Sequence, residues 1–201
     1  MKDSGVEWLG MIPKDWEVKR LKYIGKAIIG LTYSPNDIVD ENGTLVLRSS
    51  NIQNNKIVLE DNVFVNKSIP SKLKTREGDI LICSRNGSRA LIGKNACITK
   101  EYEGLSFGAF TTVFRSKYWK YLSHVFNSSL FRSQSGSYLT TTINQLTISN
   151  LNNFIVPFPQ VVEQNKITNY LDEKVKIFNK SIKKTKTQIQ KLKEAKQSLI
   201  S

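Results

Sequence analysis

Arginine, asparagine, glutamine, serine and threonine side chains occur in three compact clusters of this sequence, and a lysine follows the second cluster. Guanidinium and amide groups pair with the edges of guanine and adenine, and cationic and hydroxyl groups bind phosphate oxygens. The side chains expected to contact a nucleic acid are Arg48, Ser50, Asn51, Arg85, Asn86, Ser88, Arg89, Lys94, Thr141, Asn144 and Gln145. One cluster alone also fits a solvated turn, whereas three on one basic chain favour nucleic-acid binding.

The second cluster, residues 85–89, lies between two apolar runs, so we expect it to form the tip of a hairpin. The first cluster ends another predicted strand, and the third belongs to a polar loop. Three aromatic residues near these clusters, Tyr33, Phe107 and Tyr138, are candidates to stack on bases, although aromatic residues are more often part of a core.

No comparable set of residues supports catalysis. The segment 87–95 resembles a phosphate-binding loop, but five residues separate its glycines where four are needed, and Asn95 replaces the required serine or threonine. His124 is the single histidine and has no acidic residue near it in sequence, which favours a structural role. Glu194 and Lys196 match the end of a metal-nuclease motif but lie on a helix without an upstream aspartate in a strand. We therefore predict a non-enzymatic chain with no catalytic residue, cofactor site or metal site.

Charge and composition limit the kind of partner. The chain has 201 residues, 39% of them hydrophobic, and a formal net charge of +13. Nine lysines against three acidic residues give +6 to residues 171–201, which leaves +7 on the rest. Because both parts are basic, we expect an extended anionic partner such as a nucleic acid, although a basic surface without a specific partner is the alternative.

The expected location is the cytoplasm. Cys83 and Cys97 each lie in an apolar run and lack a neighbouring cysteine or histidine, so we interpret them as reduced core residues. The first residues include Asp3 and Glu7 and lack the apolar centre of a signal peptide, and no run of 18 apolar residues occurs. These features predict a cytoplasmic protein that does not interact with membranes.

A heptad pattern near the C-terminus predicts a long helix. Apolar residues alternate steps of four and three if Thr185 and Lys196 occupy two positions of the seam. The apolar seam residues, which we expect to mediate dimerisation, are Leu171, Val175, Phe178, Ile182, Ile189, Leu192 and Leu199. A helix from about Glu163 would be roughly 55 Å long, more than a domain of this size can cover, so it needs a partner.

The sequence before the heptad pattern predicts one α+β body. We therefore expect a mixed α/β domain at residues 1–160 and the helix at residues 161–201. Apolar periods of three to four predict helices, and short β-rich runs predict strands. The predicted helices are Val18–Ile29 and Trp119–Ser133, with a helical turn at Pro70–Lys74. The predicted strands are Leu45–Arg48, Ile57–Leu59, Val63–Val65, Asp79–Ser84, Leu91–Ile98, Ala109–Arg115 and Asn150–Phe158.

Several segments give the chain a family resemblance. They are SGVEWLGMIPKDWEVKRLKYIG, LRSSNI, GDILICSRNGSRALIGK and INQLTISNLNNFIVPFPQVVEQNKITNYLDEK, the last of which is the most specific. With these motifs the chain resembles one half of the specificity subunit of Type I restriction-modification systems. The resemblance implies a target recognition domain that reads one part of a split DNA sequence, followed by a conserved spacer helix that packs antiparallel against a second spacer helix.

The resemblance also implies the partners. The specificity subunit has no catalytic centre; modification subunits bring S-adenosylmethionine and methylate adenine N6, and motor-nuclease subunits use ATP and Mg²⁺ for translocation and cleavage. A complete subunit has two domain-plus-helix units, whereas this sequence has one. We therefore expect either a truncated subunit or a half-subunit that pairs with a second copy, or with another specificity half, to read an inverted-repeat target.

Two other functions remain open at this point. The chain is a coiled-coil adaptor if the basic helix docks methyltransferase subunits while the body does not read DNA. It is a self-sufficient nuclease or methyltransferase if the isolated chain is active with metal or S-adenosylmethionine, against the absent motifs.

Overall fold

The computed structural model describes residues 1–137 and 144–199, and it divides into two compact units, Met1–Gln160 and the chain from Val161 onward. The strands described in the first unit are β1 (Lys2–Asp3), β2 (Met11–Ile12), β3 (Glu17–Arg20), β4 (Lys26–Ile29), β5 (Ile38–Val39), β6 (Thr44–Leu47), β7 (Ile52–Gln53), β8 (Lys56–Ile57), β9 (Phe64–Val65), β10 (Ile80–Cys83), β11 (Asn95–Cys97), β12 (Ser106–Phe107), β13 (Thr111–Arg115) and β14 (Ile155–Phe158). Its α-helices are α1 (Trp119–Phe126), α2 (Ser129–Ser137) and α3 (Ile148–Asn153). The predicted α+β class is confirmed.

Two four-stranded sheets form the centre of the first unit. The first is antiparallel in the order β11-β10-β13-β4, and all four residues of β10 are buried. An uninterrupted apolar run is typical of a strand covered on both faces. The second sheet has the order β12-β6-β9-β5, and only the β12–β6 pair in it is parallel. A bridge between Leu31 and Gly108 connects the segment after β4 to the segment after β12.

Aromatic rings fill the core between the first sheet and the helices. Phe126 of α1 lies 5.3 Å from Phe114 of β13 and 4.4 Å from Phe131 of α2, measured between ring centroids. Phe131 in turn lies 5.4 Å from Phe154, just before β14. All four rings are buried, so a continuous aromatic chain joins β13, α1, α2 and the start of β14.

The helix predicted at Val18–Ile29 is wrong. The segment forms β3, a 3₁₀ turn at Leu21–Tyr23 and β4. The backbone groups of both strands form hydrogen bonds with strands that are distant in sequence: β3 pairs with β14, and β4 pairs with β13. Apolar spacing of three to four therefore arose from two strands separated by a turn, and tertiary pairing overrode the local pattern.

Three other predicted elements change. The helix at Trp119–Ser133 is broken after Phe126, because the Asn127 side chain donates to the Ser123 carbonyl (2.9 Å) and the Ser128 hydroxyl donates to the Val125 carbonyl (2.6 Å). The predicted strand Leu91–Ile98 is shortened to β11, after a 3₁₀ turn at Arg89–Leu91. The predicted strand Asn150–Phe158 instead contains the end of α3 followed by β14. The helical turn predicted at Pro70–Lys74 is confirmed as a 3₁₀ helix, Ser71–Leu73.

Gly30 allows a close backbone approach between the two sheets. A Cβ atom at this position would lie 2.2 Å from the Gly108 carbonyl oxygen and 2.4 Å from that of Phe107. We expect Gly30→Ala to lower the free energy of unfolding by about 1–3 kcal/mol, because backbone atoms must move to relieve the overlap. Urea denaturation measures this loss. Gly87→Ala is the control, because nothing lies within 4 Å of the added Cβ there; equal stability of both variants would contradict the packing argument.

The second unit is one helix, α4 (Val161–Ser198), of 38 residues. At 1.5 Å per residue it is about 57 Å long, which confirms the predicted helix. Six of the seven seam residues are exposed: Val175, Phe178, Ile182, Ile189, Leu192 and Leu199. Among the residues that the structure describes, no helix is long and apolar enough to cross a membrane.

Candidate nucleic-acid interface

The structure brings the three predicted clusters together. Arg85 and Gln145 form an antiparallel bridge, and the Asn144 side chain donates to the Gly87 carbonyl at 2.9 Å. The Asn86 side chain donates to the Ser49 hydroxyl at 3.3 Å, which joins the second cluster to the first. Residues more than ninety positions apart in the sequence therefore form one surface of the first unit, which we call the loop surface: residues 48–51, 85–94 and 144–145.

Asn51 of the first cluster and Lys94, which follows the second cluster, shape this surface from within. Asn51 is fully buried, and its amide donates to the Val58 and Glu60 carbonyls, at 3.0 Å each. Lys94 donates through Nζ to the Ser49 carbonyl at 3.2 Å. Because the polar groups of Asn51 are already used inside the fold, we interpret Asn51 as a support of the loop and omit it from the proposed DNA contacts.

Arg48 is held at the edge of the surface by an acidic neighbour. Its guanidinium donates to the Asp61 carboxylate at 2.6 Å and to the Asp61 carbonyl at 2.8 Å. The same pair forms an ion pair in which both side chains are accessible to solvent. The carboxylate fixes the direction of the guanidinium and also neutralises its charge, so Arg48 is a positioned hydrogen-bond donor rather than a free cation.

The Arg85 guanidinium lies on an aromatic ring that is not among the predicted base-stacking residues. The Arg85 guanidinium lies 5.1 Å from the centre of the Phe110 ring, and Phe110 is 59% exposed. The Phe110 carbonyl accepts from the Ser84 and Arg85 amides, at 3.0 Å each, so its backbone is fixed. Phe107, which is a predicted candidate for stacking on bases, is fully buried. Sequence alone cannot distinguish these two phenylalanines, because exposure depends on the turn before β13.

The remaining residues predicted to contact DNA differ in their exposure and in the hydrogen bonds they already make. Ser88 is exposed, and its amide donates to the Asn86 side chain at 2.9 Å in a local turn. The exposed Arg89 donates to the Gly136 carbonyl at 3.2 Å. The predicted hairpin tip is thus a longer loop between β10 and β11. Ser50 is partly buried, and Thr141 and the aromatic candidate Tyr138 lie outside the described residues.

Potential metal ligands and thiols elsewhere in the described part of the chain are neither grouped into a metal site nor activated. No group of three histidine, cysteine or acidic residues that could hold a metal ion occurs among residues 1–137 and 144–199. Burial raises the pKa of the Cys83 thiol and raises that of Cys97 to about 12, so both thiols are protonated and weakly nucleophilic at neutral pH.

The chain belongs to the Type I restriction modification DNA specificity domain family, whose model matches residues 13–191. It is 29% identical over 171 residues to the specificity subunits of the Type I restriction enzymes EcoKI from Escherichia coli (strain K12) and StySPI from Salmonella potsdam. These alignments cover 81% of this chain but 37% of each relative.

Solved structures share the fold. A chain from a structure on complex assembly and conformational transition of the type I R-M system superposes with a TM-score of 0.71 and 19% identity, covering 92% of this chain and 45% of that one. The HsdS subunit from Thermoanaerobacter tengcongensis gives a TM-score of 0.61 and 18% identity, covering 82% of this chain and 38% of that one. The family resemblance inferred from the sequence is confirmed, and this chain spans less than half the length of these relatives.

Proposed function

We propose that this chain is a DNA-recognition unit of a Type I restriction-modification complex, and that its loop surface reads one part of a split target. The observation that carries the proposal is the convergence of three distant polar clusters on one surface of a basic domain. Arg85, Arg89 and Gln145 supply the groups that recognise base edges, and Lys94 adds positive charge beside them. The net charge of +13 on the whole chain favours binding to a polyanion.

The proposal extends to a paired state through α4. A second copy, or another specificity half, packs antiparallel on the heptad seam and buries its exposed apolar residues. Two-fold symmetry then relates two identical domains, each connected in sequence to the start of its own α4, so a pair of identical chains reads an inverted repeat with an unread spacer. Along a helix of about 57 Å, that spacer corresponds to roughly one and a half turns of B-DNA, taking a turn as about 34 Å.

In this scheme the chain itself is not catalytic. Methylation of adenine N6 with S-adenosylmethionine, and cleavage driven by ATP and Mg²⁺, belong to modification and motor-nuclease subunits that the chain directs to a sequence. The raised pKa values of the Cys83 and Cys97 thiols support this division, because a protonated thiol is a weak nucleophile.

The loop surface is tested by replacing its two exposed arginines. We expect Arg85→Ala/Arg89→Ala to weaken binding to the selected target duplex by about 2–3 kcal/mol, roughly 30- to 150-fold, because two guanidinium donors are lost. Discrimination against altered targets should fall as well. Fluorescence anisotropy measures both quantities, with the target first determined by selection from random duplexes.

The matched control removes the same charge elsewhere on the first unit. Arg20→Ala/Arg76→Ala replaces two arginines that lie outside the loop surface, and we expect it to lower affinity slightly and equally for all sequences. If the loop variant and the control have the same affinity and the same selectivity, then the loop surface does not read DNA.

A further inference from the structure

A cleft of about 760 Å³ opens beside the loop surface, between the segments that follow β4, β6 and β12. Its walls include Tyr33, Arg48, Ser50, Asp61, Gly108 and Phe110. Sites for small molecules commonly have volumes of roughly 300–1,000 Å³ and are lined mainly by apolar groups, as this cleft is. The cleft is therefore large enough for a flat aromatic ring together with its sugar.

Two aromatic rings give the cleft walls that suit a planar ligand. Phe110 is 59% exposed although its backbone is fixed by the Ser84 and Arg85 amides, and Arg85 covers part of its ring. Tyr33 packs beside Gly108, where even an added Cβ would lie 3.6 Å from the tyrosine ring. Nucleobases stack on such rings with little regard to sequence, because every base has a π face.

Polar atoms in the walls lack partners that a base edge would provide. The Arg48 Nε and the Ser50 Oγ are both buried, and neither has a hydrogen-bond partner within the described residues. Buried polar atoms are normally hydrogen-bonded, so a rotation of either side chain toward the cleft would let the unpaired atom bond to a ligand with complementary oxygen or nitrogen atoms. An imino or carbonyl edge of a base meets this requirement.

Electrostatics favours a base over a phosphate group in this cleft. Arg48 is the cationic residue of the walls, and its charge is already balanced by the Asp61 carboxylate at 2.6 Å. A phosphodiester in the cleft would approach that carboxylate, whereas the Arg85 guanidinium, which has no carboxylate partner in the described part of the chain, lies over the Phe110 ring. An uncharged ring avoids this repulsion and replaces water on the two aromatic walls.

We propose that this cleft binds a single nucleobase that has left the stack of the bound duplex. This inference rests on the proposed function and adds a specific site to it. A regular duplex presents no group that fills a concave cleft of this size, whereas a base rotated out of the helix does. Extrusion costs free energy that depends on the base pair being opened, so the cleft would contribute to sequence selectivity.

The test compares regular duplexes with duplexes that carry one unpaired base, which is already out of the stack. The intact chain is titrated with target duplexes in which the unpaired nucleotide is placed at successive positions, with each of the four bases in turn. We expect at least one position to bind about tenfold tighter than the regular duplex, since the cost of extrusion has been removed. Phe110→Ala should abolish that preference, and Phe110→Leu should keep only part of it, because leucine is apolar but has no π face.

The control variant is Tyr23→Ala, which removes a ring that is 72% exposed and is not part of the cleft wall. It should keep the preference for the unpaired base. If regular duplexes bind but no unpaired base binds more tightly, or if Phe110→Ala weakens regular and unpaired duplexes equally, the cleft does not hold an extruded base although the chain still reads DNA. Absence of binding to any duplex would overturn the proposed function together with this inference.

Discussion

Replacing Phe178 and Ile182 with glutamine is expected to abolish pairing of the chain through α4. These seam residues are 65% and 53% exposed in the single chain, and burying a large apolar side chain contributes about 1.5–3 kcal/mol. Four such side chains are buried in a symmetric pair, so their loss weakens association by about 6 kcal/mol or more, roughly 10⁴-fold in the dissociation constant. Glutamine is a good helix former, so α4 itself should remain helical.

Sedimentation equilibrium measures the association, and DNA titration measures its consequence. Without the pair, binding to the two halves of a target is no longer linked, so affinity for the full inverted repeat should fall by about 10²–10⁴ while a single half-site binds as before. The control is Lys180→Gln/Thr187→Gln, which makes the same replacements on the opposite face of the heptad. Should the seam variant associate as tightly as the control, α4 does not pair through this seam.

Arg115→Ala is expected to lower the free energy of unfolding of the first unit by about 3–5 kcal/mol. Arg115 donates through Nε and a terminal nitrogen to the two Asp79 oxygens, at 2.7 Å each, and Asp79 is 1% exposed. Removing the guanidinium leaves a buried carboxylate whose one remaining donor among residues 1–137 and 144–199 is the Arg76 amide, at 2.9 Å. A buried charge without its partner is strongly destabilising, whereas the intact pair satisfies both groups.

Thermal and urea denaturation measure this loss. Lys67→Ala is the control, because it removes one partner of a solvent-exposed ion pair with Asp37, in which the charged atoms are 3.6 Å apart. Exposed pairs contribute about 0–1 kcal/mol, so the control should unfold nearly as the unmodified chain does. A similar small loss in Arg115→Ala would show that water reaches Asp79 and that the pair is not a buried one.

The helix α4 and the strand β10 were predictable because each follows from a single local pattern. The heptad spacing of α4 continues over several turns, and the four apolar residues of β10 have no alternative to burial. The segment Val18–Ile29 was not predictable in this way. Its apolar spacing fits a helix, and only its pairing with β13 and β14, more than eighty residues away, makes it two strands.

The loop surface was predictable as a set of side chains but not as a geometry. Arg85, Asn86 and Arg89 stand out by type, and the structure places them beside the first and third clusters. The burial of Asn51 and the exposure of Phe110 depend instead on turns whose direction is set by distant strands. Side-chain type therefore indicated which groups could contact DNA, and the fold decided which of them reach the surface.

The hydrogen bonds from Asn86 and Lys94 to Ser49 have a consequence for engineering new targets. If residues 85–94 alone were replaced by a loop from a relative, the new loop would lack the donors Asn86 and Lys94, and their acceptors on Ser49 would be left unsatisfied. Recombination that exchanges the whole body, by contrast, carries both ends of each hydrogen bond together. We therefore expect the proposed DNA target to be changed more readily by exchanging the whole body, residues 1–160, than by exchanging a single loop.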